Sequence, residues 1–168
     1  MKKIHRKILI VAPYPIINPQ HGGQKRAKAI FEYYKTIFTD VKFVGVFHRG
    51  HYPDYAETDM PLGDINLIRK IDAHRHETEL IVGKAIDNDI HVRSHMAKLL
   101  MEFQPDVVQV EQIFPYLGLD PLIKELGLHP KLVLSSQNIE YRMKEEIYRN
   151  LDFPKEQSRP LIEKTKKT

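Results

Sequence analysis

Lys7-Ile8-Leu9-Ile10-Val11-Ala12-Pro13-Tyr14-Pro15, followed by His21-Gly22-Gly23-Gln24-Lys25-Arg26, is the stretch that decides how this chain folds. A continuous aliphatic run is what a strand looks like when both faces of its sheet are covered. The run closes on a proline-rich loop, and a glycine pair then opens an amphipathic segment that continues to about Phe31. Strand, glycine turn and helix in this order direct backbone N–H groups and the positive end of a helix dipole over the strand's carboxyl end, a setting suited to a phosphate or another anion.

The same alternation continues outward from this unit. Strand patterns lie at 7–13, 41–47, 65–69, 106–111 and 131–136, and helical patterns at 23–38, 84–103, 118–127 and 138–150. Strand–helix alternation with right-handed crossovers predicts an α/β fold, a three-layer Rossmann-like domain with a mostly parallel, doubly wound sheet. With 168 residues the chain is read as one domain, 1–168, large enough to bury about 70% of its unfolded surface. In the 84–103 segment, Ile86, Ile90, Met96, Leu99, Leu100 and Phe103 fall near one side, with His91 and His95 on the polar stripe. That histidine pair has metal-ligand spacing but no third ligand nearby in sequence, so it reads as a solvated face, as do His74 and His76. His48–Gly63 is long and rich in tyrosine and proline, and it follows a strand. Tyr52 and Tyr55 there are candidates for stacking on a sugar or a lipid head group.

Charge and composition narrow the partners. Lys2, Lys3, Arg6 and Lys7 carry +4 and residues 155–168 a further +3, which leaves −3 over 8–154 out of a net +4. Basicity confined to the ends argues against nucleic acid, though it can attract an anionic membrane surface. The chain has no cysteine, and the apolar run Ile8–Ala12 is too short for a signal-peptide core or a membrane span. A cytoplasmic protein is expected.

Several phosphate sites are excluded. A dinucleotide fingerprint needs G-x-G-x-x-G and a carboxylate after the second strand, whereas here that strand ends Val46-Phe47-His48. A P-loop needs Gly-Lys followed by Ser or Thr, and Gly23 is followed by Gln24, Lys25 and Arg26. Receiver-type paired aspartates and a G-x-S-x-G nucleophile elbow are also absent from the sequence.

Three segments in register, Lys7–Pro15 with His21–Arg26, Gln104-Pro105-Asp106-Val107-Val108-Gln109-Val110-Glu111, and Leu134-Ser135-Ser136-Gln137-Asn138-Ile139-Glu140-Tyr141-Arg142, resemble the N-terminal domain of the retaining GT-B glycosyltransferases of the group 1, family 4-like type. The resemblance covers about 7–150. It implies the acceptor-side half of an enzyme that moves a sugar from a nucleotide-diphosphate donor to a glycan, lipid or small-molecule acceptor, as in polysaccharide biosynthesis, without a metal or other cofactor. It implies that Gly22, Gly23 and Arg26 meet the donor diphosphate, that Glu111 positions the acceptor or serves as base, and that Gln137, Asn138 and Glu140 line the same crevice. Where the family often has histidine, this chain has Gln137, an amide that cannot act as a base. The family's nucleotide-sugar-binding C-terminal domain has no counterpart here, and the N-terminal domain itself is expected to be incomplete at its C-terminal end. The 168 residues alone are therefore expected to be inactive, with peripheral association at the inner membrane face. Glu111 has a purely structural alternative, bonding a neighbouring helix N-terminus. The alternative for the whole chain is a non-catalytic α/β binding module.

Overall fold

A computed structural model describes residues 2–63 and 78–136, with the side chains of 78–81 left aside. The expected strand at 65–69, the expected helix at 138–150, and His74 and His76 lie outside these residues. The described chain runs β1 (Ile4–Ala12), α1 (Gly22–Ile37), β2 (Phe38–His48), a 3₁₀ turn (Arg49–His51), β3 (Met60–Leu62), α2 (Thr78–Asn88), α3 (Ile90–Phe103), β4 (Val107–Glu111), α4 (Tyr116–Glu125) and β5 (Lys131–Ser135). The five strands form one sheet of order β3-β2-β1-β4-β5, and every neighbouring pair is parallel. This is a three-layer, Rossmann-like α/β fold. Among the described residues no helix is long and apolar enough to cross a membrane.

Period-two alternation in the strands assigns the two faces. Leu9, Val11, Val44, Val46, Val108 and Val110 point to one side, where α2, α3 and α4 bring Ile86, Met96, Leu100, Leu119 and Leu122 against them. Ile8, Ile10, Ala12 and Phe43 point to the other, under Ala27, Ile30, Phe31 and Tyr34 of α1. β1 lies at the centre, with Val11 beside Val44 on one flank and Val110 on the other. Its side chains from Leu9 to Ala12 are fully buried, which is why it reads as an unbroken aliphatic run.

Two departures from the sequence reading have clear causes. The single helix expected over 84–103 is two helices, because the Asp89 side chain caps α3 by accepting from the N–H groups of His91 (2.9 Å) and Val92 (3.2 Å). The break resets the helical phase. Ile90, expected on the apolar side, is 68% exposed, and Val92 is buried in its place. His91 and His95 are exposed, as expected of a solvated stripe. The second departure is β3, three residues whose pairing places Met60 beside Val46. No α-helix lies between β2 and β3, only the 3₁₀ turn Arg49–His51. The buried Asp59 carboxylate fastens this connection instead, accepting from the N–H groups of Gly45 (2.6 Å) and Ala56 (2.8 Å).

Close backbone approach is required at two places. A Cβ on Gly45 would stand 2.7 Å from the Tyr14 carbonyl oxygen, so glycine lets the β1–α1 loop lie directly on β2. A Cβ on Gly118 of α4 would stand 2.3 Å from the Gly83 carbonyl oxygen of α2 and 2.7 Å from the Ile86 Cβ. The two helices therefore pack nearly backbone to backbone.

Candidate functional site

The carboxyl ends of β1, β2 and β4 meet at one edge of the sheet, and the glycine pair opens α1 above them. Crevices at this edge of an open parallel sheet are where ligands bind when the strand order reverses, here at the β1–β4 neighbourhood. His21 is the N-cap of α1. Its Nδ1 accepts from the Gln24 N–H (3.4 Å), while the Gln24 side chain accepts from the N–H groups of His21 (3.4 Å) and Gln20 (2.8 Å). This is a capping box with histidine and glutamine as its members. The Gln24 amide also donates to the Pro15 carbonyl at 2.8 Å and is 1% exposed, so it ties both ends of the loop to the helix.

Gly22 and Gly23 take no positive φ. At Gly22 an added Cβ would meet no protein atom within 4 Å. Neither the backbone conformation nor neighbouring protein atoms call for glycine at position 22. Among the described residues, the space directly beside Gly22 is open.

One turn further on, Arg26 meets Glu111. Its Nη1 donates to Glu111 Oε2 at 2.8 Å and its Nη2 to Ser135 Oγ at 2.8 Å. Gln109 Nε2 donates to Glu111 Oε1 at 2.7 Å, and the Tyr34 hydroxyl donates to Gln109 Oε1 at 2.8 Å. The β4 sequence Val107-Val108-Gln109-Val110-Glu111 explains this chain of contacts. Its valines 108 and 110 face the large apolar core, and the alternate positions 109 and 111 carry polar groups to the α1 side. Glu111 is fully buried, whereas the Arg26 side chain remains 42% exposed. Both Glu111 oxygens are engaged, so the carboxylate here holds a cation across the β4–α1 interface. To accept a proton from a substrate it would have to exchange Arg26 for that substrate.

Beside this network lies a cleft of about 70 Å³ lined by Tyr14, His21, His48, His51, Tyr52 and Gln112, among others. Pro13 and Phe47 also line it, so it opens at the carboxyl ends of β1, β2 and β4. His21 Nε2 lies 3.3 Å from the Tyr52 hydroxyl. His48 Nδ1 accepts from the Gly50 N–H at 3.2 Å. Burial first, and the nearby His51 second, push the His48 pKa below its ordinary value. Tyr52 and Tyr55 pack edge-on against Phe47, with ring centroids 5.3 and 5.6 Å away, and Tyr55 stays 37% exposed. Among the described residues, no three His, Asp or Glu side chains gather as metal ligands.

The structure thus brings Gly22, Gly23, Arg26 and Glu111 to one edge and joins the last two directly. Gln137, Asn138 and Glu140 lie outside the described residues. Gln24, Gln109, Gln112 and Tyr34 are site residues that the sequence reading passed over. The spacing His21-x-x-Gln24 before an amphipathic segment was a usable signal for the first; a polar alternation inside a buried strand was one for the second. No family model, no curated protein and no solved structure matches the chain.

Proposed function

We propose that this domain is the acceptor-side half of a glycosyltransferase that takes a sugar from a nucleotide-diphosphate donor and passes it to a hydroxyl of a glycan, lipid or small molecule. The observation that carries the reading is Gly22, a glycine with ordinary φ and no protein atom near its missing Cβ, at the start of a helix above the sheet crevice. Such a position keeps space for something that approaches the backbone closely. A diphosphate leaving group is the fitting occupant, because developing negative charge is stabilised by preorganised N–H groups at a helix start. Arg26, still partly exposed, is the adjacent cation. On this reading Glu111 positions Arg26 and becomes available to an acceptor hydroxyl only when the guanidinium turns to the donor. The protein then works in the cytoplasm, and a lipid-linked acceptor brings it to the membrane face.

The test is titration of ¹⁵N-labelled protein with uridine and guanosine diphosphates. Shifts at the Gly22 and Gly23 amides are expected at millimolar ligand and their loss in Gly22→Val. Amides at Gly22 and Gly23 that stay unmoved with both nucleotides at millimolar concentration refute the reading. The engagement of both Glu111 oxygens favours a second reading, a non-catalytic binding module at the same edge. It predicts diphosphate binding with Arg26–Glu111 intact and no sugar transfer by any protein that contains this domain.

A further inference from the structure

Gln112 follows β4 directly. Its N–H donates to the Ser135 carbonyl at 3.3 Å, continuing the ladder to β5. Its φ is +65°, the left-handed region that a glutamine occupies only against strain. The residue is only 9% exposed, yet its Oε1 is buried without a hydrogen-bond partner. Among the described residues it is the buried side-chain polar atom left in that state. A buried acceptor without a donor costs free energy in a folded protein, so such an atom calls for a water or a ligand that supplies the donor.

The side chain lines the 70 Å³ cleft. Space of this order admits a few ordered waters or an alcohol group of a larger ligand. Among the described residues no Lys, Arg, Asp or Glu lines it; the polar lining there is histidine, tyrosine and the glutamine amide. Histidine and tyrosine can each donate or accept, and the amide oxygen needs a donor. The group that complements such a lining is a neutral hydroxyl, which donates and accepts at once. An anion would leave Oε1 without its donor, and an ammonium would find no carboxylate.

We infer that this cleft is a hydroxyl-reading pocket, in which Gln112 Oε1 accepts a hydrogen bond from one alcohol group of a neutral polyol, the rest of the ligand lying outside. This deepens the acceptor side of the function proposed above and rests on it for the ligand's role, but its observable is separate.

The experiment uses methyl hexopyranosides as neutral probes and acetate as an anionic probe of similar size to the pocket. In ¹⁵N-labelled protein the Gln112 side-chain amide resonance should shift with the glycosides and stay in place with acetate. Gln112→Met keeps the length and removes the acceptor. It should weaken glycoside binding about tenfold, and without ligand it should melt no lower than the parent, because an unpartnered buried polar atom has gone. Gln112→Glu retains an acceptor at the same reach and should keep more of the affinity than the methionine variant. Unchanged glycoside affinity in Gln112→Met overturns the inference. So does a lowered melting temperature in that variant, which would show the amide to be a satisfied structural group. A water that stays on Oε1 in crystals holding the glycoside does so as well. Diphosphate titration of the same samples separates the two proposals. Glycoside shifts at Gln112 without nucleotide shifts at Gly22 and Gly23 keep the pocket and remove the transferase reading. The opposite pattern removes the pocket alone.

Discussion

Removing the Arg26 guanidinium should cost far more than removing the carboxylate it binds, although the two form one ion pair. Glu111 has no exposed surface, while the Arg26 side chain is 42% exposed. In Arg26→Gln the buried carboxylate keeps only the Gln109 amide donor, 2.7 Å from Oε1, and Ser135 loses its partner as well. Breaking a buried pair from one side typically costs about 3–5 kcal/mol. Because water already reaches the arginine end, about 3 kcal/mol is the appropriate figure here. For a chain of this size that is a fall in melting temperature of roughly 6–12 °C. Glu111→Gln leaves a cation that can turn to solvent and an amide that can still bond Gln109, so its cost should be about 1 kcal/mol. The double variant should resemble Glu111→Gln, because the uncompensated charge is gone, giving a coupling of about 3 kcal/mol in the cycle. The assay is urea unfolding followed by circular dichroism at pH 7. Equal small losses in both single variants, or strict additivity in the double, would refute the reasoning.

Other perturbations follow from the same structure. Gly118→Ala should lose about 1–3 kcal/mol in urea unfolding, since its Cβ would meet the Gly83 carbonyl oxygen at 2.3 Å; an unchanged midpoint would mean that α2 and α4 are not held so closely. Burial, its largest cause, raises the Asp59 pKa against the opposing N–H bonds from Gly45 and Ala56. The folded state therefore holds that proton more tightly than the unfolded chain, and the stability it contributes, present below the unfolded value, is lost as pH rises through the folded pKa. Asp59→Asn should remove that component of the pH–stability curve, as read from midpoints between pH 3.5 and 7. His48 has the opposite sense for acid: its lowered pKa means that the unfolded chain takes up the proton first, so stability should fall as pH drops below about 6.5. His51→Gln should reduce that fall by removing the second cause, and an unaltered slope would show that His51 contributes nothing.

The aliphatic runs of β1 and β4 made the three-layer sheet legible, because burial on both faces leaves a composition that few other arrangements produce. The glycine turn and Glu111 were legible as well, one from spacing and the other from its place at a strand end. Their geometry was not. Arg26 and Glu111 are 85 residues apart, and nothing local records that α1 lays one over the other. The split at Asp89 was hidden because the apolar spacing on either side can be read as one continuous period, with only a capping aspartate to mark the break. β3 was too short for any pattern to register. Gln112 belongs to no motif at all; its interest lies in a positive φ and an unanswered oxygen, which exist only once the strand end is built.

Phe38 is both the C-cap of α1, donating its N–H to Tyr34, and the first residue of β2. Helix and strand are thus joined without a linker, and with a rise of about 1.5 Å per residue the helix is a strut of roughly 24 Å folded back on the sheet. The glycine pair stands at the beginning of this hairpin and His48 at its end, with no slack between them. An inserted or deleted residue anywhere in 22–48 would rotate one rim of the crevice against the other or slide β2 out of register. Between β1 and β3, variation in what the crevice accepts therefore falls to the segments 13–21 and 49–59, where length can change while the strut stays fixed.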